Sequence, residues 1–203
     1  RNATTIGSLI MPWSYTINTV RHFHHQHMLN REEIKLPNAT IVDEEREVVV
    51  LVIGESARRD HFSLYGYAKE TNPLLKDDGV VALVADASAT YTTEGVKAIL
   101  DHKPTGELYE ILPNYLYRNG VDVVWRSTNW GEPPLHIEHN YNLGALKERY
   151  PEAGGNYDGI LLEGLKEEIE ACEASKVLIV LHTSTSHGPE YYAKYPKEFE
   201  QFT

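Results

Sequence analysis

The stretch EVVVLVIGESARRDHFSLYGYAKETNPLL, residues 47–75, decides the fold class. It opens on an unbroken aliphatic run from Val48 to Ile53, which Gly54 ends. A short run of this kind reads as a strand buried on both faces, as in a parallel sheet. Gly54 allows a sharp turn, and Glu55 then stands just past the carboxyl end of the strand. In open α/β sheets ligands collect in the crevice beyond those ends. An ionised carboxylate there suits a divalent cation. It equally suits the start of a helix, whose exposed N–H groups favour negative charge.

The alternation continues downstream. Residues 56–75 mix charges with Gly66 and Pro73, which predicts a short helix and then a loop. GVVALVAD, residues 79–86, predicts a second strand, and ASATYTTEGVKAIL, residues 87–100, leads into a helix through Val96, Ile99 and Leu100. Ser88, Thr90, Thr92 and Thr93 precede that helix, with Glu94 in its first turn. Each hydroxyl is a candidate N-cap. Each is also a candidate nucleophile, because free N–H groups at a helix start stabilise an alkoxide or bind a phosphoryl oxygen. Leu108 to Asn119 predicts a helix stopped by Gly120, and Val121 to Trp125 a third strand with Arg126, Ser127, Thr128 and Asn129 at its end. Residues 130–156 read as loop with a short helix around Leu143 to Arg149, and Asp158 to Ala174 as one helix. Lys176 to Leu181 is the fourth strand, followed by HTSTSHGP at 182–189.

Four buried strands separated by helices predict an α/β domain with a mostly parallel central sheet and helices on both faces. Glu55, Thr90, Asn129 and His187 then fall at four strand ends. A divalent metal held by Glu and His, with a hydroxyl as a further ligand, lowers the pKa of that hydroxyl. It also neutralises charge on a transferring phosphoryl or sulfuryl group.

Composition narrows the function class. The 203 residues suffice for one domain with a full core, and 41% hydrophobic with 24% charged residues is ordinary for a globular fold. A formal charge of −11 argues against a nucleic-acid partner, since phosphate backbones need a basic face. Cys172 is the one cysteine, which excludes an internal disulfide and a multi-cysteine metal site. No apolar run is long enough to span a bilayer. Residues 1–40 differ from the rest: Trp13, Tyr15 and Phe23 stand beside Arg21 and Arg31, and histidines occupy 22, 24, 25 and 27. The histidines lack a ligand spacing and read as a polar helix face or loop. The aromatic and basic residues suit an arm against a membrane interface or one packed on its own domain. Residues 1–40 are therefore expected to be an arm leading from an absent membrane domain, with the catalytic domain over 41–203.

Five segments carry a family resemblance. GESARRDHFSLYGYAKETNPLL (54–75) resembles the GE-(S/T)-x-R-x-x-x-x-S-L-x-G-Y-x-R-x-T-x-P segment of the bacterial phosphoethanolamine transferases. These lipid A and lipooligosaccharide-modifying enzymes include the mobile colistin-resistance proteins and belong to the alkaline phosphatase and sulfatase superfamily. SHGPEYYAKYPKEFEQFT (186–203) resembles the family's S-H-G-P-x-Y-x-x-x-Y-P-x-x-F-x-x-F-T signature. ASATYTTEGVKAIL lies where the family has its C-G-T-x-T nucleophile segment, VVWRSTNW (123–130) where it has W-R-(D/S)-x-N, and NYDGILLEGL (156–165) where it has Y-D-x-x-L-L. The resemblance implies that Glu55 is a zinc ligand and Thr90 the metal-bound nucleophile. It further implies that Asn129 contacts the phosphoethanolamine group and that His187 lies near the phosphate or a second zinc.

Two departures accompany it. Ser88 and Ala89 stand where the family has Cys and Gly, so the family's disulfides are missing and the loops are held by packing. The chain also stops at Thr203, before the region where the family places an Asp-His pair completing its zinc site, so the sheet and the metal site are expected to be incomplete at the carboxyl end. The residues are expected to be inactive by themselves. The implied reaction takes phosphoethanolamine from phosphatidylethanolamine onto the threonine and then onto a glycolipid or glycan, lipid A or a core sugar, with Zn2+ as cofactor. It places the domain at the periplasmic face of the bacterial inner membrane, with polymyxin resistance as its consequence. Lys97, Lys103 and Arg126 are the candidate positive charges for anionic lipid. The alternatives are a metal-dependent phosphodiesterase or sulfatase-like hydrolase, and a catalytically silent domain of the same fold. The formylglycine pattern of sulfatases, Cys or Ser followed by x-P-x-R, is missing around residues 86–100.

Overall fold

The computed structural model describes residues 13–29, 32–153 and 157–201. The chain divides into two compact units, Arg1–Leu36 with Thr105–Glu110, and Pro37–Pro104 with Ile111–Thr203. In the first unit, helix α1 spans Trp13–Leu29 and exposes Tyr15, Val20 and Phe23. The side chains of His24, His25 and His27 lie outside the described residues. Ile34 bridges Tyr109, its N–H donating to the Leu108 carbonyl at 2.7 Å, while Glu110 N–H donates to the Ile34 carbonyl at 3.1 Å. Among the described residues no helix is long and apolar enough to cross a membrane.

The second unit is built on a parallel sheet. Its strands are β1 (Glu47–Ile53), β2 (Asp122–Ser127), β3 (His139–Tyr141) and β4 (Lys176–His182), in the order β1-β4-β2-β3. Every pairing is parallel, and β4 is central, with β1 on one side and β2 on the other. Side chains alternate across a strand, so β2 and β4 supply both faces. On one face Val123, Trp125, Leu178 and Val180 pack with Ile53 and with Val96 and Leu100 of helix α3 (Thr92–Leu100). Leu116 and Tyr117 of helix α4 (Leu112–Arg118) close that side. On the other face Val124, Val177, Ile179 and Leu181 pack with Leu146 of α5 (Leu143–Arg149), and with Ile160 and Leu161 of the 3-10 turn Asp158–Leu162. Leu165 and Ile169 of α6 (Leu165–Ala171) complete it. Helix α2 is the short segment Pro73–Asp77. The expected α/β architecture, a parallel sheet with helices on both faces, is the one observed.

Four local expectations are corrected. First, β1 is not buried on both faces: among the described residues it pairs with β4 alone, and Val48, Val49, Val50 and Val52 are exposed, the last at 60%. Second, residues 79–86 form no strand. Val81 is 81% exposed, and the segment is held instead by Tyr65 Oη donating to the Leu83 carbonyl at 2.7 Å. Apolar composition makes a strand only where a ladder partner satisfies its backbone. The fourth strand is β3, within the region read as loop. Third, the helix expected from Leu108 begins at Leu112: Ile111 ahead of it is extended, and Pro113 sits in the first turn, where its missing N–H removes no helical hydrogen bond. Gly120, with φ +90°, ends it as expected. Fourth, the helix expected over 158–174 is divided by Gly164, at φ +58°, where an added Cβ would lie 2.5 Å from Tyr150 Oη. The glycine admits both the left-handed turn and the close tyrosine.

The central strand carries the largest packing load. Truncation of its fully buried Ile179 by Ile179→Ala is expected to destabilise the protein by about 2–5 kcal/mol in equilibrium denaturation.

Candidate active site

Register places the site. Ile53 and Ser127 both pair with His182, so β1, β4 and β2 end level with one another. Glu55 follows β1 by two residues and Asn129 follows β2 by two, and Thr183 leaves β4 between them. Asn129 Nδ2 donates to Glu55 Oε2 at 2.7 Å and to the Thr183 carbonyl at 2.8 Å, tying all three exits together. Its Oδ1 accepts from Trp130 N–H at 2.8 Å. Both amide hydrogens are thereby committed to protein, so Asn129 acts first as the holder of Glu55.

Helix α3 delivers a hydroxyl to the same carboxylate. Thr92, in its first turn, donates from Oγ1 to Glu55 Oε2 at 2.9 Å. Ser56 fills the other oxygen, its N–H donating to Oε1 at 3.0 Å and its Oγ at 2.8 Å. Partial burial pushes the Glu55 carboxyl upward, but the bonds from Asn129, Ser56 and Thr92 outweigh it and hold the group below the ordinary carboxylate range. Glu55 is an anion. The first helical bond of α3 runs from Gly95 N–H to the Tyr91 carbonyl, so the amides ahead of it lead the helix, as at any N-terminus. No side chain caps that end at Tyr91.

A cleft of ≈ 400 Å³ is lined by Glu55, Thr90, Thr92 and His187. The structure thus gathers Glu55, Asn129 and His187 where the sequence expects them. Thr90 lines the cleft and is exposed, while the hydroxyl bonded to Glu55 is that of Thr92, two residues on. His187 Nδ1 lies 2.7 Å from the Gly188 carbonyl, which fixes Nδ1 as the protonated nitrogen and leaves Nε2 as its other polar atom. Trp130 packs on this ring with centroids 4.7 Å apart.

Two supporting clusters receive no role from the sequence, although Asp158 lies in the Y-D-x-x-L-L segment. Asp158 accepts from Ser184 N–H at 3.0 Å, Thr185 N–H at 2.9 Å, and the hydroxyls of Thr128 and Thr185. It clamps the segment after β4 to the one after β2, and His187 N–H then bonds the Ser184 carbonyl at 3.0 Å. The second cluster is buried. His182 is 0% exposed, with Nδ1 3.2 Å from Glu132 Oε1 and 3.3 Å from Ser127 Oγ. Ser127 Oγ also donates to Glu132 and accepts from Asn129 N–H at 3.1 Å. Burial pushes the Glu132 carboxyl up, while bonds from His182 and Ser127 pull it further down, leaving it below its ordinary value. Serine, histidine and glutamate here do not form a nucleophilic relay: the serine is buried and its hydroxyl serves Glu132 and the Asn129 backbone.

Arg126, considered above as a charge for anionic lipid, is 0% exposed. Its guanidinium donates to Glu168, to the Leu161 carbonyl at 3.0 Å and to the Glu163 carbonyl at 2.7 Å. A strand position in this sheet points it into the core, so it faces no lipid.

The metal test gives a partial set. Glu55 and Thr92 offer an anionic and a hydroxyl oxygen on one point, the donor chemistry a hard or borderline dication takes. Four-coordinate zinc needs four donors, and among the described residues no three of His, Cys, Asp and Glu converge.

Residues 47–203 match the sulfatase family. The chain belongs to that family. It is 36% identical over 208 residues to phosphoethanolamine transferase EptA of Helicobacter pylori, covering 100% of this chain and 40% of the relative. It is 30% identical over 176 residues to phosphatidylethanolamine transferase Mcr-2 of Escherichia coli, covering 77% of this chain and 32% of that protein. Among solved structures, the integral membrane lipooligosaccharide phosphoethanolamine transferase A of Neisseria meningitidis superposes with a TM-score of 0.76 at 25% identity, over 100% of this chain and 41% of that one. The periplasmic domain of EptC from Campylobacter jejuni gives 0.65 at 29% identity, over 82% and 55%. The chain therefore spans about two fifths of the curated relative from Helicobacter pylori.

Asp158→Ala should cost about 1–3 kcal/mol for each backbone N–H left buried without an acceptor, read by denaturation. Glu55, Glu132 and Glu168 all have folded-state pKa values below the ordinary 4.5. The folded protein therefore binds fewer protons than the unfolded chain around and below that value. Their contribution is complete above the unfolded value of 4.5 and is lost progressively as the pH falls below it through the folded ones. Glu132→Gln, which keeps the shape, should flatten this acid dependence of the denaturation midpoint.

Proposed function

We propose that this chain is part of a phosphoethanolamine transferase of the bacterial inner membrane, working at its periplasmic face. It takes phosphoethanolamine from phosphatidylethanolamine and passes it, through a covalent threonine ester, to a glycolipid or glycan acceptor such as lipid A. The observation that carries the reading is the hydrogen bond from Thr92 to the ionised Glu55 at the mouth of a cleft, in a chain whose relatives bear that transferase name. The family resemblance assigns the nucleophile to Thr90. The contact with Glu55 favours Thr92, and we assign it there.

In the first half-reaction Thr92 Oγ attacks the donor phosphorus. The new P–O bond to threonine forms as the P–O bond to diacylglycerol breaks, and the leaving oxygen takes up a proton. In the second half, an acceptor oxygen attacks the same phosphorus, the threonine oxygen leaves, and it regains a proton. Glu55 orients the hydroxyl by accepting its hydrogen, Asn129 holds Glu55, and the leading amides of α3 face the phosphoryl oxygens. His187, fixed through Nδ1, presents Nε2 for the phosphate or the leaving oxygen. A zinc ion held by Glu55, Thr92 and donors outside the described residues would supply the lowered hydroxyl pKa that threonine needs.

Mass spectrometry of the whole protein after exposure to phosphatidylethanolamine decides the nucleophile. The adduct should map to Thr92, vanish in Thr92→Ala with the fold intact, and persist in Thr90→Ala. An adduct on Thr90 that survives Thr92→Ala would return the role to Thr90.

A further inference from the structure

We propose that the exposed face of Trp130 is the subsite for the ammonium group of the donor headgroup; this rests on the transfer reaction proposed above. Trp130 is 56% exposed, and its ring packs on His187, which lines the cleft. It is not a loose surface ring. Its backbone N–H donates to Asn129 Oδ1, which fixes the chain at this point, and its indole lies 4.7 Å from the His187 ring, centroid to centroid, at 57°. The next residue, Gly131 at φ +85°, comes so close to helix α3 that an added Cβ would sit 2.8 Å from Thr93 Cγ2. The backbone at Trp130 and Gly131 is therefore fixed against Asn129, the holder of Glu55, and against the start of α3, while the indole rests on His187.

The charge of the cleft points the same way. Among its described lining residues there is no Lys or Arg, and Glu55 presents its carboxyl oxygens there. Both N–H groups of Asn129 are committed, so the amide has only acceptor capacity left, on Oδ1. Arg126, the nearest arginine in sequence, is buried against Glu168. A cleft without basic side chains next to an aromatic face suits a cation, and an indole is the strongest cation–π surface among side chains. In phosphoethanolamine the ammonium is two carbons from the phosphate ester oxygen, so a phosphorus placed at Thr92 keeps its cation within the same neighbourhood. A glycerol headgroup has no cation to place there.

The test measures calorimetric dissociation constants for soluble phosphoethanolamine and for sn-glycerol 3-phosphate, using the full-length protein in detergent. Wild type should prefer phosphoethanolamine. Trp130→Leu should lose roughly three- to thirtyfold of that preference while leaving the glycerol 3-phosphate constant unchanged. Trp130→Phe, which keeps a weaker aromatic face, should keep part of it and guards against a leucine variant that fails to fold. Weakening of both ligands alike in Trp130→Leu, with the preference intact, would mean the ring only packs on His187 and would overturn the subsite. Absence of any preference in wild type would instead remove the ethanolamine donor itself, and the subsite with it.

Discussion

The central position of β4 is the constraint on which the rest depends. Its backbone bonds to β1 on one edge and β2 on the other, and the register sets Ile53, His182 and Ser127 side by side. Because parallel strands all run the same way, their carboxyl ends meet at one edge, and the segments leaving them share one crevice. Glu55, Asn129 and Thr183 are neighbours for that reason. The Asn129 amide then locks three separate exits with two hydrogen bonds, an economy available only when the strand ends are level.

Beneath the cleft lies a buried polar layer that is unusual for a small sheet. Arg126 and Glu168 form a buried pair, joined by Arg149 at 3.2 Å, and a pair of this kind is costly to break because it strands a charge. His182, Ser127 and Glu132 form a second group under Asn129, and Asp158 a third under the segment that carries His187. The Arg126 and Asp158 groups bond within the protein before any ligand arrives, while His182 keeps a buried Nε2 without a hydrogen-bond partner among the described residues. Catalytic side chains placed on such supports lose little freedom on binding, which is how a scaffold preorganises a site.

One side of the sheet behaves differently. Among the described residues β1 has a ladder partner on one edge only, and its valines stand exposed. The cleft opens near that side, since Glu55 leaves the exposed strand. Its partners in the reaction are therefore met by an edge whose inner side is fixed by β4 and whose outer side carries apolar surface.

Much of this was legible in the residues themselves. The runs at 48–53 and 176–181 announce strands because aliphatic β-branched runs have few other stable uses, and Gly54 with Glu55 marks the strand end as a ligand position. Asn129 and His187 follow from the same rule. The run at 79–86 misled because hydrophobicity records a wish for burial and says nothing of a hydrogen-bonding partner, while β3 at 139–141 is defined by its partner β2 and has almost no apolar signal. Four hydroxyls before α3 look alike in sequence, since a cap and a nucleophile need the same residue type. The tertiary structure adds a contact that the sequence does not show, turning Thr92 toward a carboxylate 37 positions earlier in the chain. Likewise Asp158, Glu132 and His182 take their roles from distances across the sheet that no local spacing encodes. The sequence by itself determined the alternation of helices with the strands at 47–53, 122–127 and 176–182 and the polar residues that follow those strands, because periodicity and chain direction are local. Which side chain touches which was decided by register and packing, because those contacts are made between segments that the chain order keeps far apart.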